Sequence, residues 1–258
     1  MLNHTDVKKT RAVIDLNAIA GNYTHTAKAC APAKVAAVVK ADAYGHGALA
    51  VAKRLNAVGC DFFTVSNIDE ALELRTGGIT GTILVLGYVL DEFLPEAVEN
   101  DISLAVDTVA HLKTILRAAD GRPVKIHIKL DTGMNRTGFF AKGDGAPLDE
   151  ELHKAVELIE KHPNLVCEGI FSHFAVADEP EGSAFTETQY ARFTETVEKL
   201  RALGLKPTYR HICNSAGIVR FPQMHLDAVR MGVTLYGCGD LDSACVPAMT
   251  FKTRVINV

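Results

Sequence analysis

No tryptophan occurs in these 258 residues, no two cysteines stand in a CxxC spacing, and no apolar run approaches the length that crosses a bilayer. The six cysteines (30, 60, 167, 213, 238 and 245) are scattered. That pattern reads as reduced thiols in a cytoplasmic protein and excludes a disulfide framework. The opening MLNHTDVKKTR lacks the apolar stretch of a signal peptide. The chain is therefore expected to be soluble and intracellular, unless it is a piece of a longer one. Positive charge is not in excess either: 27 Lys and Arg face 31 Asp and Glu, for a net charge of −4. A nucleic-acid partner would want a basic face, so that class is set aside. HExxH, His-x-His and GxSxG are all missing, which argues against a helical zinc site and a serine nucleophile elbow. There is no internal repeat and no low-complexity tract.

What the chain does have is rhythm. It is 48% hydrophobic and 22% charged, ordinary for a globular protein. Short apolar runs at 12–14, 35–40, 62–65, 82–87, 103–107, 124–131, 165–171, 208–213 and 226–233 read as strands. Helical patterns lie between them at 16–29, 48–57, 67–76, 91–100, 108–119, 149–161 and 184–203, with Asp15 as an N-cap. About eight strand–helix alternations with turns of a few residues predict parallel βα units. The count and length favour a (β/α)8 TIM barrel, α/β in class, over residues 1–239. The tail breaks the rhythm. Residues 247–258 read as a β segment with nothing after it to pair with, so 240–258 is expected to begin a truncated C-terminal β domain.

In such a barrel the active-site residues project from the C-terminal strand ends. Lys40 closes the apolar run Val35–Val39, and the loop Ala41-Asp42-Ala43-Tyr44-Gly45-His46-Gly47 follows. A lysine there is either a snorkelling surface residue or an amine tuned for covalent chemistry with a carbonyl. The glycine-bracketed loop Asp131-Thr132-Gly133-Met134-Asn135-Arg136-Thr137-Gly138 carries Arg136, which is either a mouth residue or a solvated loop cation. His173 follows an apolar strand and by itself reads as a core histidine. In His211-Ile212-Cys213-Asn214-Ser215-Ala216-Gly217, amides and a hydroxyl at a helix start suit a phosphate, while Asn214 or Ser215 would serve equally as a plain N-cap. Arg230 ends the last strand beside Gly232, and its plain alternative is an ion pair with Asp227. His127, His173 and His211 are the candidate metal ligands at the mouth, but their spacing is not diagnostic, and no metal is expected.

Together these groups resemble one family. Ala37-Val38-Val39-Lys40-Ala41-Asp42-Ala43-Tyr44-Gly45-His46-Gly47 is similar to the signature of bacterial alanine racemases, pyridoxal 5'-phosphate enzymes built from a barrel and a C-terminal β domain. The likeness continues through Asp131–Gly138, Ser172-His173-Phe174, His211–Gly217, and Val229-Arg230-Met231-Gly232-Val233 with Leu235-Tyr236-Gly237. The resemblance implies that Lys40 holds the cofactor as a Schiff base and, once released, acts as base on one face of the substrate α-carbon. It assigns the cofactor phosphate to Tyr44, Asn214, Ser215, Gly232 and Val233. Arg230 would face the pyridine nitrogen, with His173 behind the ring. Arg136 would reach the phenolic oxygen and the substrate carboxylate. Lys129 aligns with a lysine that is often carbamylated.

The family's second acid–base is a tyrosine of the C-terminal domain supplied across a homodimer, and none of the tyrosines at 23, 44, 88, 190, 209 and 236 stands in its context. A racemase needs a proton carrier on each face. The chain is thus expected to bind cofactor and exchange an α-proton, yet to racemise poorly. Its expected role is L- to D-alanine conversion for peptidoglycan. The alternatives are the serine/alanine racemase domain of a membrane-linked resistance protein, a non-catalytic carrier of the cofactor, a metal-dependent barrel enzyme, and a dimerisation scaffold.

Overall fold

The structure, a computed structural model, describes residues 10–255. The first nine residues, searched above for a leader, and the last three of the tail lie outside them. Strands are β1 (Thr10–Ile14), β2 (Lys34–Val38), β3 (Phe62–Val65), β4 (Thr82–Val85), β5 (Ser103–Val106), β6 (Val124–Asp131), β7 (Phe139–Phe140), β8 (Leu165–Phe171), β9 (Tyr209–His211), β10 (Ala228–Met231) and β11 (Met249–Thr253). Most helices start where a short oxygen-bearing side chain can satisfy the free amides of the first turn. Asp15 accepts from the amides of Asn17 and Ala18 at 2.8 and 3.1 Å ahead of helix Leu16–Cys30. Asn67, Thr108, Asp149 and Asn214 cap four others in the same way. No helix of the described residues is long and apolar enough to cross a membrane.

Eight parallel strands run β10-β2-β3-β4-β5-β6-β8-β9. The ends of that row meet through Arg230 N–H to Cys213 O at 2.9 Å and Asp227 N–H to Arg210 O at 3.2 Å. The TIM barrel is thereby closed, as the alternation of elements predicts. Between strands and helices lies one large apolar core that includes Ile19, Phe63, Leu74, Ile126 and Phe193. The barrel interior is different. Its apolar cluster is small, centred on Ala36, Phe62, Leu84 and Ala228, whereas barrels commonly fill that space with layers of branched aliphatics. Here His127, His211 and Arg230 are buried instead.

Three local expectations change. The tail strand β11 is not unpaired: it runs antiparallel to β1, with Ile14 opposite Met249 and Thr10 opposite Thr253. All five β11 residues remain exposed. The loop after β6 contains the two-residue strand β7, paired to Leu130 and Asp131. Finally, β2 stops at Val38, and Lys40 opens a left-handed turn rather than ending a strand. Ala41, Asp42, Ala43 and Tyr44 all have φ of 52–53°. Left-handed geometry costs roughly 1–2 kcal/mol per L-residue, so four in a row cost roughly 4–8 kcal/mol. Specific bonds hold the turn. Ala41 N–H donates to Glu70 Oε1 at 2.7 Å, Ala48 N–H to Asp42 Oδ1 at 2.7 Å, and Gly47 N–H to Asp42 O at 3.0 Å. Gly45 and Gly47, at φ of 83° and 89°, continue the positive-φ path at little steric cost.

Candidate active site at the barrel mouth

All ten residues singled out in the sequence line one cavity of about 500 Å³ at the C-terminal strand ends: Lys40, Tyr44, Lys129, Arg136, His173, Asn214, Ser215, Arg230, Gly232 and Val233. They come from five strands, β2, β6, β8, β9 and β10, or the loops behind them, which is why residues nearly 200 positions apart converge. Sequence reading missed Thr137, Phe171, Asp178 and Leu241 in the lining. Of these, Asp178 had a usable signal, since it sits in a loop that follows a barrel strand. The lining gathers four cations (Lys40, Lys129, Arg136 and Arg230) against one carboxylate, Asp178. Such a cavity favours an anionic guest.

Arg230 is the hub. It is 3% exposed, and its expected alternative partner is taken: Asp227 binds Arg210 at 2.6 and 3.0 Å. Instead, Arg230 Nη1 donates to His211 Nδ1 at 2.7 Å and to His211 O at 3.2 Å. Its Nη2 donates to Ser172 O at 2.7 Å, His173 Nδ1 at 3.0 Å and Ile212 O at 3.1 Å. An arginine has only donors, so both imidazoles present a bare Nδ1 and carry their proton on Nε2. Desolvation holds His173 and His211 well below the ordinary histidine range, and Arg230 adds to it in both. Both rings are neutral at pH 7. Arg230 itself is lowered to about 10, chiefly by burial, and so stays cationic. Its Nε–H has no partner among the described residues, and the side chain faces the cavity.

Lys129 lines the same cavity and is 7% exposed. Its ammonium donates to Thr137 Oγ1 at 2.6 Å and sits 5.8 Å from the centre of the Phe171 ring. Burial, with Arg136 and Arg230 nearby, lowers it to about 8. Neither Lys40 Nζ nor the Arg136 guanidinium makes a hydrogen bond among the described residues. Arg136 is exposed on its loop, and Lys40 is presented by the left-handed turn.

In the same lining Tyr44, Ser215 and Gly232 form a polar cradle. Ser215 Oγ accepts from Gly232 N–H at 3.0 Å and lies 3.1 Å from Thr234 Oγ1. A β-carbon on Gly232 would stand 3.5 Å from Tyr44 Oη and 3.7 Å from Ser215 Oγ, inside that cradle. Asn214 serves as the N-cap, accepting from Gly217 N–H at 2.9 Å. An aldehyde-bearing phosphate monoester fits this set. The amine would take the carbonyl, the cradle the phosphate, and the unpartnered Arg230 Nε–H a ring acceptor. His127 and His211 do not join His173 as ligands at the mouth. Their facing nitrogens are 3.0 Å apart, inside the barrel.

Residues 14–240 match the family model described as the N-terminal domain of alanine racemase. Alanine racemase 2 of Caldanaerobacter subterraneus subsp. tengcongensis is 36% identical over 98% of this chain, and the alanine racemase of Desulfosudis oleivorans is 39% identical over 96%. The chain spans 65% and 66% of the length of these relatives, just under two thirds. Among solved structures, an alanine racemase of Clostridium difficile 630 in complex with cycloserine superposes with a TM-score of 0.88 and 34% identity, covering 96% of this chain and 68% of that one.

Proposed function

The chain belongs to the family of alanine racemase N-terminal domains, and from that premise we propose that it holds pyridoxal 5'-phosphate on Lys40 and serves the interconversion of L- and D-alanine. The convergence of Lys40, the Tyr44–Ser215–Gly232 cradle and the unpartnered Arg230 Nε–H on one cavity carries this reading. The cofactor, when bound, supplies an electron sink that acidifies the α-proton of an amino acid.

The chain's own residues do the rest. Lys40 Nζ anchors the cofactor and, when free, takes or returns the α-proton on its face. Tyr44, Asn214, Ser215, Gly232 and Val233 bind the phosphate. Arg230 donates to the ring nitrogen and, being a poor acid, leaves it unprotonated, which weakens the sink and suppresses transamination. His173, neutral and bonded to Arg230 at 3.0 Å, supports that contact. Arg136 offers a planar cation to the substrate carboxylate and the phenolic oxygen. At about 8, Lys129 carries enough neutral amine near neutral pH to add carbon dioxide and shed a proton. The resulting carbamate would replace one of the four mouth cations with an anion beside Arg136.

Tyr44 is the only phenol among the lining residues, and it is assigned to the phosphate. The proton carrier of the opposite face is therefore taken to come from outside this cavity. On the same reading the protein works as a cytoplasmic homodimer and makes D-alanine for peptidoglycan, with serine the second substrate to be tried. Purified chain given pyridoxal 5'-phosphate should develop a visible absorption band, and borohydride should fix the cofactor to Lys40. Exchange of the α-proton for deuterium should far exceed net racemisation. Absence of the band, together with Lys40→Ala behaving as the unmodified chain, would refute the assignment.

A further inference from the structure

The two imidazoles inside the barrel belong to a longer chain of hydrogen bonds. Because His211 Nδ1 accepts from Arg230, its Nε2–H must donate to His127 Nδ1, 3.0 Å away. That leaves the His127 proton on Nε2, which faces Glu168 Oε2 at 3.0 Å. Ser103 Oγ donates to the same oxygen at 2.6 Å. Donors and acceptors thus run one way from a buried cation to a carboxylate. Among the described residues Arg230 touches no carboxylate, and Glu168 is the one joined to it through hydrogen bonds. Glu168 sits on β8 three residues before the cavity-lining Phe171, roughly 10 Å deeper by strand rise.

The surroundings are shaped for this row. The His211 ring stacks on Phe171 with centroids 5.1 Å apart and an interplanar angle of 4°. Next to Glu168, a β-carbon at Gly169 would stand 2.2 Å from His127 Nδ1. Only glycine leaves room for that ring. Both imidazoles are fully buried, where an unmatched N–H or lone pair is costly.

We propose that Glu168, acting through His127 and His211, is a positioning residue that fixes the orientation of Arg230 toward the cofactor ring nitrogen. The proposal rests on the cofactor reading above. Glu168 touches neither cavity nor guest. It sets the acceptor at the bottom of the relay, so both imidazoles keep Nδ1 upward and Arg230 keeps its Nη groups turned into the barrel and its Nε–H toward the mouth.

Nitrogen-15 spectra of the labelled, cofactor-free chain should show both His127 and His211 protonated at Nε2 and bare at Nδ1. Glu168→Gln retains an oxygen acceptor, so it should keep that pattern and bind pyridoxal 5'-phosphate within about threefold of the unmodified chain. Glu168→Leu removes the acceptor, and Gly169→Ala pushes the His127 ring aside. Each should scramble the His127 signals, shift the visible band of the bound cofactor and weaken its binding by about tenfold or more, by analogy with the loss of the outer partner of a metal-ligating imidazole. If Glu168→Leu fails to fold, Gly169→Ala and the spectra of the unmodified chain still decide. Protons on Nδ1, unchanged band and affinity in Glu168→Leu or Gly169→Ala, or equal losses in the Gln and Leu variants would each overturn the proposal. Failure of the unmodified chain to take up the cofactor on Lys40 would instead sink the cofactor reading, and Glu168's role with it, whatever the spectra of the relay show.

Discussion

Replacing Glu70 with alanine removes the clamp on the turn that presents Lys40. Its Oε1 accepts from Ala41 N–H at 2.7 Å, and its Oε2 from Ser66 N–H and Ser66 Oγ at 2.7 and 2.8 Å. A hydrogen bond to a charged group is worth roughly 1.5–3 kcal/mol when well shielded. These three are partly open to solvent and share one carboxylate, so about 1 kcal/mol each, near 3 kcal/mol together, is the working figure. The loss is directed at a segment already carrying roughly 4–8 kcal/mol of left-handed backbone. The turn is therefore the part expected to relax. At about 2–4 °C per kcal/mol for a domain of this size, Tm should fall by about 6–12 °C. Lys40 should lose its fixed approach, seen as slower and weaker cofactor uptake. Glu70→Gln keeps one acceptor and should lie between the two. Calorimetry with absorbance titration reads both effects. Glu70→Ala within about 0.5 kcal/mol of the unmodified chain, the range of neutral surface changes, and with unchanged cofactor binding would show that the clamp does not hold the turn.

Two further outcomes follow from the site. The depressed value of Lys129, about 8 against an unfolded 10.5, means that between those pH values the unfolded chain binds more protons than the folded one. Stability should therefore rise as pH goes from 8 toward 10.5, with roughly 3 kcal/mol of burial penalty relieved. Lys129→Met should flatten that rise and be the more stable protein at pH 7 in carbon-dioxide-free buffer, as urea melts at several pH values would reveal. At Gly138, φ is 129° and a β-carbon would stand 2.7 Å from Asp131 N and 2.8 Å from Leu130 C. Gly138→Ala should cost about 2 kcal/mol or more and move the Arg136 loop. Proteolysis within 131–140 should then quicken, and a slow, unaltered cleavage pattern would speak against it.

The periodicity of apolar residues carried the barrel, because burying one face of each strand and helix leaves a signature every two or every three to four positions. The helix start at Asp15 was equally plain, since a cap acts within three residues, whereas Asn214 and Ser215 read equally as a cap or as a phosphate site until the structure put the cap on Asn214. The ten mouth residues were legible because a barrel puts the residue after each strand at one rim. The left-handed turn at Ala41–Tyr44 was not legible. Alanine, aspartate and tyrosine carry no preference for four positive φ values, and the bonds that impose them come from Glu70 and Ala48. Nor was the pairing of β11 with β1, whose partners are about 240 residues apart.

Sequence alone settled the barrel's strands and the main helices between them, their order, and which side chains stand near the strand ends, because each of those depends on near neighbours and on which faces shed water. The charge states and directions of those side chains were settled only in three dimensions. Arg230 had an ion pair with Asp227 as its plain alternative. The barrel instead gave Asp227 to Arg210 and turned Arg230 inward to two neutral imidazoles. His127 and His211, 84 positions apart, carried no shared spacing in the sequence, yet a 3.0 Å hydrogen bond inside the barrel makes them one unit. Hydrogen bonds and desolvation act over a few ångströms, and it is the closure of the ring that sets those distances.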